Sequence, residues 1–245
     1  MKAKVTAAYD GGYFYGSQHL RSGGEETLPT VLSVFECALR SMGIDSAAIH
    51  AGRTDRFVHA TGQVISFTPP PFWTDADRLK AELVKKLYPK IHIKEVRIVD
   101  DDFHPRYSAK SRIYRYIISC DRPTIYNERF VTFVPEFDIE LARKAIAKFV
   151  GEKDFFHFSK RGSGELSTIR TIYSAAIYAH KNLYIARFEG DAFLRSQIRL
   201  MMSAVIKIAR GNAAIGDIDA QFQGKIRRFR TPAPPNGLYL ARVKY

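Results

Sequence analysis

The chain is poor in cysteine, in acidic residues and in long apolar runs, and each shortage removes a class of protein. Two of its 245 residues are cysteines, Cys37 and Cys120. They stand far apart, outside any CxxC pair, and each falls in an apolar pattern, which predicts reduced thiols in a cytoplasmic protein rather than a disulfide scaffold. Two cysteines and scattered histidines meet no zinc spacing, so no metal is expected. No apolar stretch approaches the roughly 20 residues of a membrane span. The opening "MKAKVTAAYDGG" is interrupted at Asp10, too early for a signal peptide. Neither a basic amphipathic helix nor a lipidation signal is seen, so no membrane partner is expected.

Acidic residues number 25 against 38 Lys plus Arg, a formal net charge of +13. That excess predicts a polyanionic partner, nucleic acid being the common one. The one carboxylate cluster, Asp100 to Asp102, reads as a solvated inter-domain turn. A Mg²⁺-dependent nuclease, which needs clustered carboxylates, has little to build on. What the chain does have is 46% hydrophobic residues, enough for one large domain or two small ones.

Strands are expected at 4–9 and 63–68, with "LPTVLSVFECALRSMG" between them as a helix from Pro29 to Gly43. "TDADRLKAELVKKLY" reads as a second helix, with Thr74 and Asp77 as a capping box and Pro89 as its stop. "IHIKEVRIV" returns to strand. After "DDDFHPRYS" the alternation resumes. "RIYRYIISC" is a strand, and "FDIELARKAIAKFVG" a helix capped by Asp138. Two strands follow near 168–179 and 183–189, then a long helix from about Phe193 to Arg210 and a last strand, "GLYLARVKY". The class is α+β, with an N-terminal domain at 1–102 and a C-terminal domain at 103–245. "SKRGSGELSTIRT" reads as a loop rich in glycine, serine and basic residues.

Four places could carry chemistry. In "AGRTDRFVHATGQ" a carboxylate, Asp55, lies between Arg53 and Arg56, with His59 close behind. Flanking arginines favour the ionised form, which suits a nucleophile or base. An Asx-type turn held by local hydrogen bonds accounts for the same residues. On "AFLRSQIRLMMSAVIKIARG", Arg195 and Arg199 fall at the rim of an apolar helical stripe. Snorkelling explains Arg195, whereas Arg199 lies further round and can reach a cleft. Tyr114 on "SRIYRYI" is either a core tyrosine or a ring for stacking on a base. In "GEKDFFHFSKRGSG", three phenylalanines lie beneath Lys160 and Arg161, as an anchor for a basic loop or as an ordinary solvated cluster.

Taken together, "YDGGYFYGSQ", "GRTDRFVHATGQV", "DFHPRYSAKSRIYRY", "GEKDFFHF", "GDAFLRSQIR" and "APPNGLYLARVKY" resemble, in order, the TruA family of tRNA pseudouridine synthases. The resemblance implies a pseudouridine synthase fold of two pseudosymmetric domains, each a mostly antiparallel sheet with helices on one face, around a basic cleft. It implies a homodimer that needs no cofactor and isomerises uridines at tRNA positions 38 to 40, in the anticodon arm. Asp55 matches the catalytic aspartate, Tyr114 the tyrosine against the target base, and Arg199 the basic residue paired with the aspartate. Arg53 matches an arginine associated with base extrusion. Arg56, His59, Lys160 and Arg161 are expected to bind RNA. Attack at ribose C1′, attack at uracil C6 and a glycal-type route all remain open to Asp55. One departure stands out: the family usually has a small residue and then glycine after GRTD, where this chain has Arg56 and Phe57. The rival reading is a non-catalytic tRNA-binding protein or RNA chaperone, which gives Asp55 no task.

Overall fold

The computed structural model describes the whole chain except residues 23, 24, 27, 161 and 163–165. In chain order the strands and helices are β1 (Lys2–Tyr9), β2 (Arg21–Ser22), β3 (Glu25–Glu26), α1 (Val31–Ser41), β4 (Ile49–His50), β5 (His59–Phe67), α2 (Ala76–Leu87) and β6 (Ile91–Val99). They continue as β7 (Ser111–Ser119), β8 (Thr132–Phe133), α3 (Ile139–Ala147), β9 (Gly151–Asp154), β10 (Ile169–His180), β11 (Leu183–Gly190), α4 (Gln197–Ala209), α5 (Gly216–Phe222) and β12 (Leu238–Lys244). The class is α+β. The described chain falls into two compact units, Met1–Lys110 with Tyr239–Tyr245, and Ser111–Leu238.

In the first unit β1 lies between β5 and β6, antiparallel to both, and β12 pairs parallel to β5 through Tyr239–His59 and Leu240–Ala60. Strand alternation sorts β1 cleanly. Ala3, Val5, Ala7 and Tyr9 are buried, whereas the residues between them are half-exposed. α1 starts at a capping box in which Thr30 and Ser33 satisfy each other's backbone N–H groups. It buries Val31, Leu32, Phe35, Ala38 and Leu39, a stripe of helical period. α2 is capped by Asp75, whose Oδ1 accepts from the amides of Asp77 and Arg78. This corrects the expected Thr74–Asp77 box: the carboxylate one residue later reaches two free amides at once and is favoured by the helix dipole.

In the second unit the antiparallel order is β7, β11, β10, β9, with β8 parallel to β7. α3 is capped by Asp138 as expected. α4 differs from the reading in one respect: it begins at Gln197, not near Phe193. Ser196 takes φ 58° and breaks the helical path. Arg195 therefore precedes the helix, and the wheel that put it on the rim does not apply. Behind α4 lies an aromatic core in which Phe149, Phe155, Phe158 and Phe229 are fully buried. The rings of Phe149, Phe155 and Phe158 pack edge-on or tilted on Phe222, Phe149 also lies edge-on to Phe158, and Phe229 stacks on Phe158. No described helix is long and apolar enough to cross a membrane.

Candidate active site

The GRTD segment leaves β4 and turns into β5. A hydrogen bond from the Val58 amide to the Asp55 carbonyl (3.1 Å) closes a four-residue turn, with Arg56 and Phe57 at its corners. Phe57 sits there at φ 65°, the left-handed conformation that a type II turn asks of its third residue. The backbone thus keeps a glycine-type shape although the side chain is phenylalanine. That costs roughly 1–2 kcal/mol. Part of it is offset by Arg56, whose guanidinium lies 4.2 Å from the Tyr15 ring centre and 4.6 Å from that of Phe57.

What holds the turn comes from elsewhere in the unit. Ser17 is fully buried and clamps Thr54 twice: its amide donates to the Thr54 carbonyl (3.0 Å), and its Oγ accepts from the Thr54 amide (2.9 Å). The Ser17 hydroxyl is then left to donate to His50 Nε2 at 3.2 Å. Burial, with the positive charges of Arg53, Arg106 and His19 behind it, pushes the His50 pKa down to about 4. His50 is therefore neutral at pH 7 and fit to accept that bond. Thr54 Oγ1 shares a hydrogen bond with the Tyr9 hydroxyl (2.9 Å), and Gln63 Nε2 donates to the Gly52 carbonyl (2.8 Å). Gly11 lies against the turn so closely that a Cβ there would stand 2.2 Å from the Val58 carbonyl oxygen.

His59, expected to meet RNA, is almost fully buried and stacks on Tyr239 at 4.8 Å. Its Nδ1 accepts from the Gly11 amide (3.0 Å), which puts the ring proton on Nε2. Asp10 Oδ1 stands 3.3 Å from the same nitrogen. Asp55 is half-buried, and Arg53 and Arg56 are exposed beside it. The first unit thus brings Arg53, Asp55 and Arg56 together on one rigid turn.

In the second unit Tyr114, on β7, is buried with its ring edge-on to Phe193 at 5.1 Å. Arg112, two residues earlier, donates to the Asp191 carbonyl (2.6 Å), and Asp191 Oδ1 accepts from the Thr171 and Ala192 amides. The segment 191–194 is pinned by these bonds beside β7. It leads into the Ser196 bend, where the Leu194 amide donates to Gln197 Oε1 (2.7 Å). Arg199 follows on α4, half-buried. Its Nε donates to the Ala233 carbonyl at 2.8 Å, and the Ala233 amide returns a bond to the Arg199 carbonyl at 2.9 Å. Pro234 accepts from the buried Tyr116 hydroxyl (2.8 Å), whose phenol burial holds well above its usual pKa. Lys160 is exposed, its amide bonded to the Arg195 carbonyl. Arg161 lies outside the described residues. The roles of Ser17, His50 and Gly11 escape a reading by motif, because their partners lie 37, 33 and 48 residues away.

These features define an α+β protein that mounts an aspartate between arginines on a braced turn and carries a strongly basic surface. Residues 145–245 match the family model described as tRNA pseudouridine synthase. The chain is 38% identical to tRNA pseudouridine synthase A of Campylobacter jejuni strain RM1221 over the whole of both chains. It is 38% identical to the Wolinella succinogenes enzyme of that name, over 97% of this chain and 92% of the other. The corresponding Helicobacter pylori P12 protein is 35% identical over 99% of this chain and 98% of its own. The chain belongs to the tRNA pseudouridine synthase family.

Proposed function

We propose that the protein isomerises uridine to pseudouridine in tRNA, at positions 38, 39 and 40 of the anticodon arm, with Asp55 as nucleophile. The observation that carries the role of Asp55 is the bracing of its turn: Gly11, Ser17, His50 and Tyr9 all serve to fix the backbone that presents one carboxylate. A solvated salt-bridge turn has no need of that framework. The reaction breaks the bond from ribose C1′ to uracil N1, turns the base and joins C1′ to C5, with loss of the C5 proton and uptake of a proton at N1. Electrons and atoms balance within the nucleotide. Asp55 supplies the electron pair that meets the nucleotide while the base is detached.

The target base must first leave its stack, at a cost of a few kcal/mol. An exposed Arg53 beside Asp55 is suited to fill the gap in the RNA, and the Tyr114 ring to lie against the flipped base. Arg199, oriented by Ala233, is the proposed cation for the carboxylate. These assignments rest on the motif correspondence. Phosphate contacts from the basic surface, Arg56 and Lys160 included, supply affinity without reading sequence. A homodimer working in the cytoplasm completes the proposal, and sedimentation in solution tests the dimer.

The deciding experiment is tritium release from tRNA transcripts labelled at uridine C5. Wild type should release tritium, and Asp55→Asn should lose turnover by about 1,000-fold or more while tRNA affinity changes little. Equal release by both proteins would remove Asp55 from the chemistry. Binding without release by the wild type would leave the binding-protein reading in its place.

A further inference from the structure

A cavity of about 370 Å³ opens in the second unit between two segments, 156–160 and 227–230. That volume falls in the range of about 300–1,000 Å³ typical of ligand pockets. Its lining holds three permanent cations, Lys160, Arg227 and Arg230, together with His157, and no carboxylate among the described residues. We propose that it is a phosphodiester-binding pocket that grips the backbone of the tRNA substrate away from the reacting nucleotide. The inference rests on the tRNA reading above. Neither Tyr114 nor Arg199 lines the cavity.

The pocket is built rather than incidental. Gln221 on α5 is 1% exposed and spends its amide on both walls. Its Nε2 donates to the His157 carbonyl (2.9 Å), and its Oε1 accepts from the Phe229 amide (2.8 Å). One buried side chain therefore sets the spacing of the two segments. Phe229 is fully buried against Phe158, so the sequence Arg227-Arg228-Phe229-Arg230 is pinned inward at its third residue and turns its arginines outward.

The three arginines then part ways. Arg228 is neutralised, with Nη1 3.0 Å from Asp217 Oδ2 and Nη2 donating to the Asn212 carbonyl. Arg227, Arg230 and Lys160 are exposed and have no ion pair among the described residues. Three like charges around one cavity repel each other, a cost that an anion relieves. Arginine in particular matches phosphate through paired N–H donors. Phe156, 36% exposed at the lip, adds a ring face against which a ribose or base can rest. Charge, shape and aromatic lip together fit a nucleic-acid backbone.

The test compares the charge-removing double variant Arg227→Gln/Arg230→Gln with wild type on an unmodified tRNA transcript. KM should rise at least tenfold with kcat within twofold, and the slope of log KM against log salt should shrink by about 1–2. Arg227→Lys/Arg230→Lys should recover much of the loss, since charge is restored without the fork geometry. A control of equal charge, Lys86→Gln/Lys90→Gln in the other unit, should stay near wild type. Unchanged KM and slope in the glutamine double variant, an equal loss in the control, or no recovery with lysine would each overturn the pocket. If wild type shows no turnover, the functional reading fails separately, and the same salt slopes taken from tRNA binding by fluorescence anisotropy still decide the pocket.

Discussion

The turn at Asp55 and the bend at Ser196 each place a non-glycine residue at positive φ, 65° at Phe57 and 58° at Ser196, within three residues of a proposed site residue. They are held differently. The Ser196 bend is closed over a short span: Leu194 and Gln197, three residues apart, exchange two hydrogen bonds, and the Lys160 amide adds one long-range bond to the Arg195 carbonyl. The Asp55 turn is clamped by Gly11, Ser17 and His50, which come from other parts of the unit. Strain near a site persists only where its surroundings over-determine it. The comparison teaches that the turn at the carboxylate depends on distant side chains such as Ser17 and His50, whereas the bend before Arg199 is closed chiefly by a bond pair three residues apart.

Two glycines break the comparison most sharply. A methyl at Gly11 would meet the Val58 carbonyl oxygen at 2.2 Å and the Phe57 carbonyl carbon at 2.8 Å, both backbone atoms with little room to yield. Gly11→Ala should cost about 3 kcal/mol of stability by overpacking. Because the Asp55 turn must tilt, kcat should fall by about 100-fold in protein that remains folded. Gly190 lies beside Phe193, on the way to the other bend, and its added methyl meets the Thr171 oxygen at 2.9 Å and two side-chain tips beyond 3 Å. Gly190→Ala should cost about 1 kcal/mol and change kcat by only a few-fold. Chemical denaturation with single-turnover rates measures both. Equal losses in the two variants would show that the turns are braced alike.

The same contrast explains which parts of the molecule the sequence discloses. β6 and α3 were readable because period and cap lie within a dozen residues; "IHIKEVRIV" and Asp138 carry their own instructions. Family motifs single out Asp55, Tyr114 and Arg199 as the proposed site residues. The Asp75 cap was misread by one residue because Thr74 is itself an acceptable cap. α4 was read too long because Phe193 and Leu194 continue the apolar pattern, and no propensity rule announces a serine at positive φ. Ser17, His50 and Gln221 went unread for a different reason. A polar residue looks like surface until its distant partners are known, and each of these is buried on backbone or side-chain groups far along the chain.

His50 makes the tertiary bracing visible as a pH effect. Its pKa stands at about 4 in the folded protein, against 6.5 as the reference value. The unfolded chain takes up the proton first, so stability is complete above about pH 6.5 and is lost as pH falls toward 4. That difference amounts to about 3 kcal/mol. His50→Gln, which keeps an acceptor near Ser17, should start less stable at pH 7 but lose that share of the acid dependence. The difference between the two denaturation curves over pH 4 to 6.5 is the readout. Hydrogen exchange should show acid loosening amides around Ser17 and Thr54 while those around Leu194 and Gln197 hold. Parallel curves for the two proteins would take His50 out of the bracing.

The smallest expected effect separates strain kept at the site from strain kept nowhere in particular. Lys181, at φ 54°, occupies the two-residue loop between β10 and β11, a position that hairpin turns commonly give to glycine. Relief of its left-handed conformation outweighs the extra freedom that glycine brings to the unfolded chain, so Lys181→Gly should gain about 0.5–1 kcal/mol. Phe57→Gly relieves the same conformation but discards the ring beneath Arg56. Its net gain should be smaller, within about 0.5 kcal/mol of zero, because the lost cation–π contact is of similar size. Thermal melting ranks the pair, and tRNA KM adds the functional half: Lys181→Gly leaves it unchanged, whereas Phe57→Gly frees Arg56 and raises it. A Phe57→Gly protein that gains as much as Lys181→Gly, at unaltered KM, would mean that the phenylalanine contributes nothing beside Asp55.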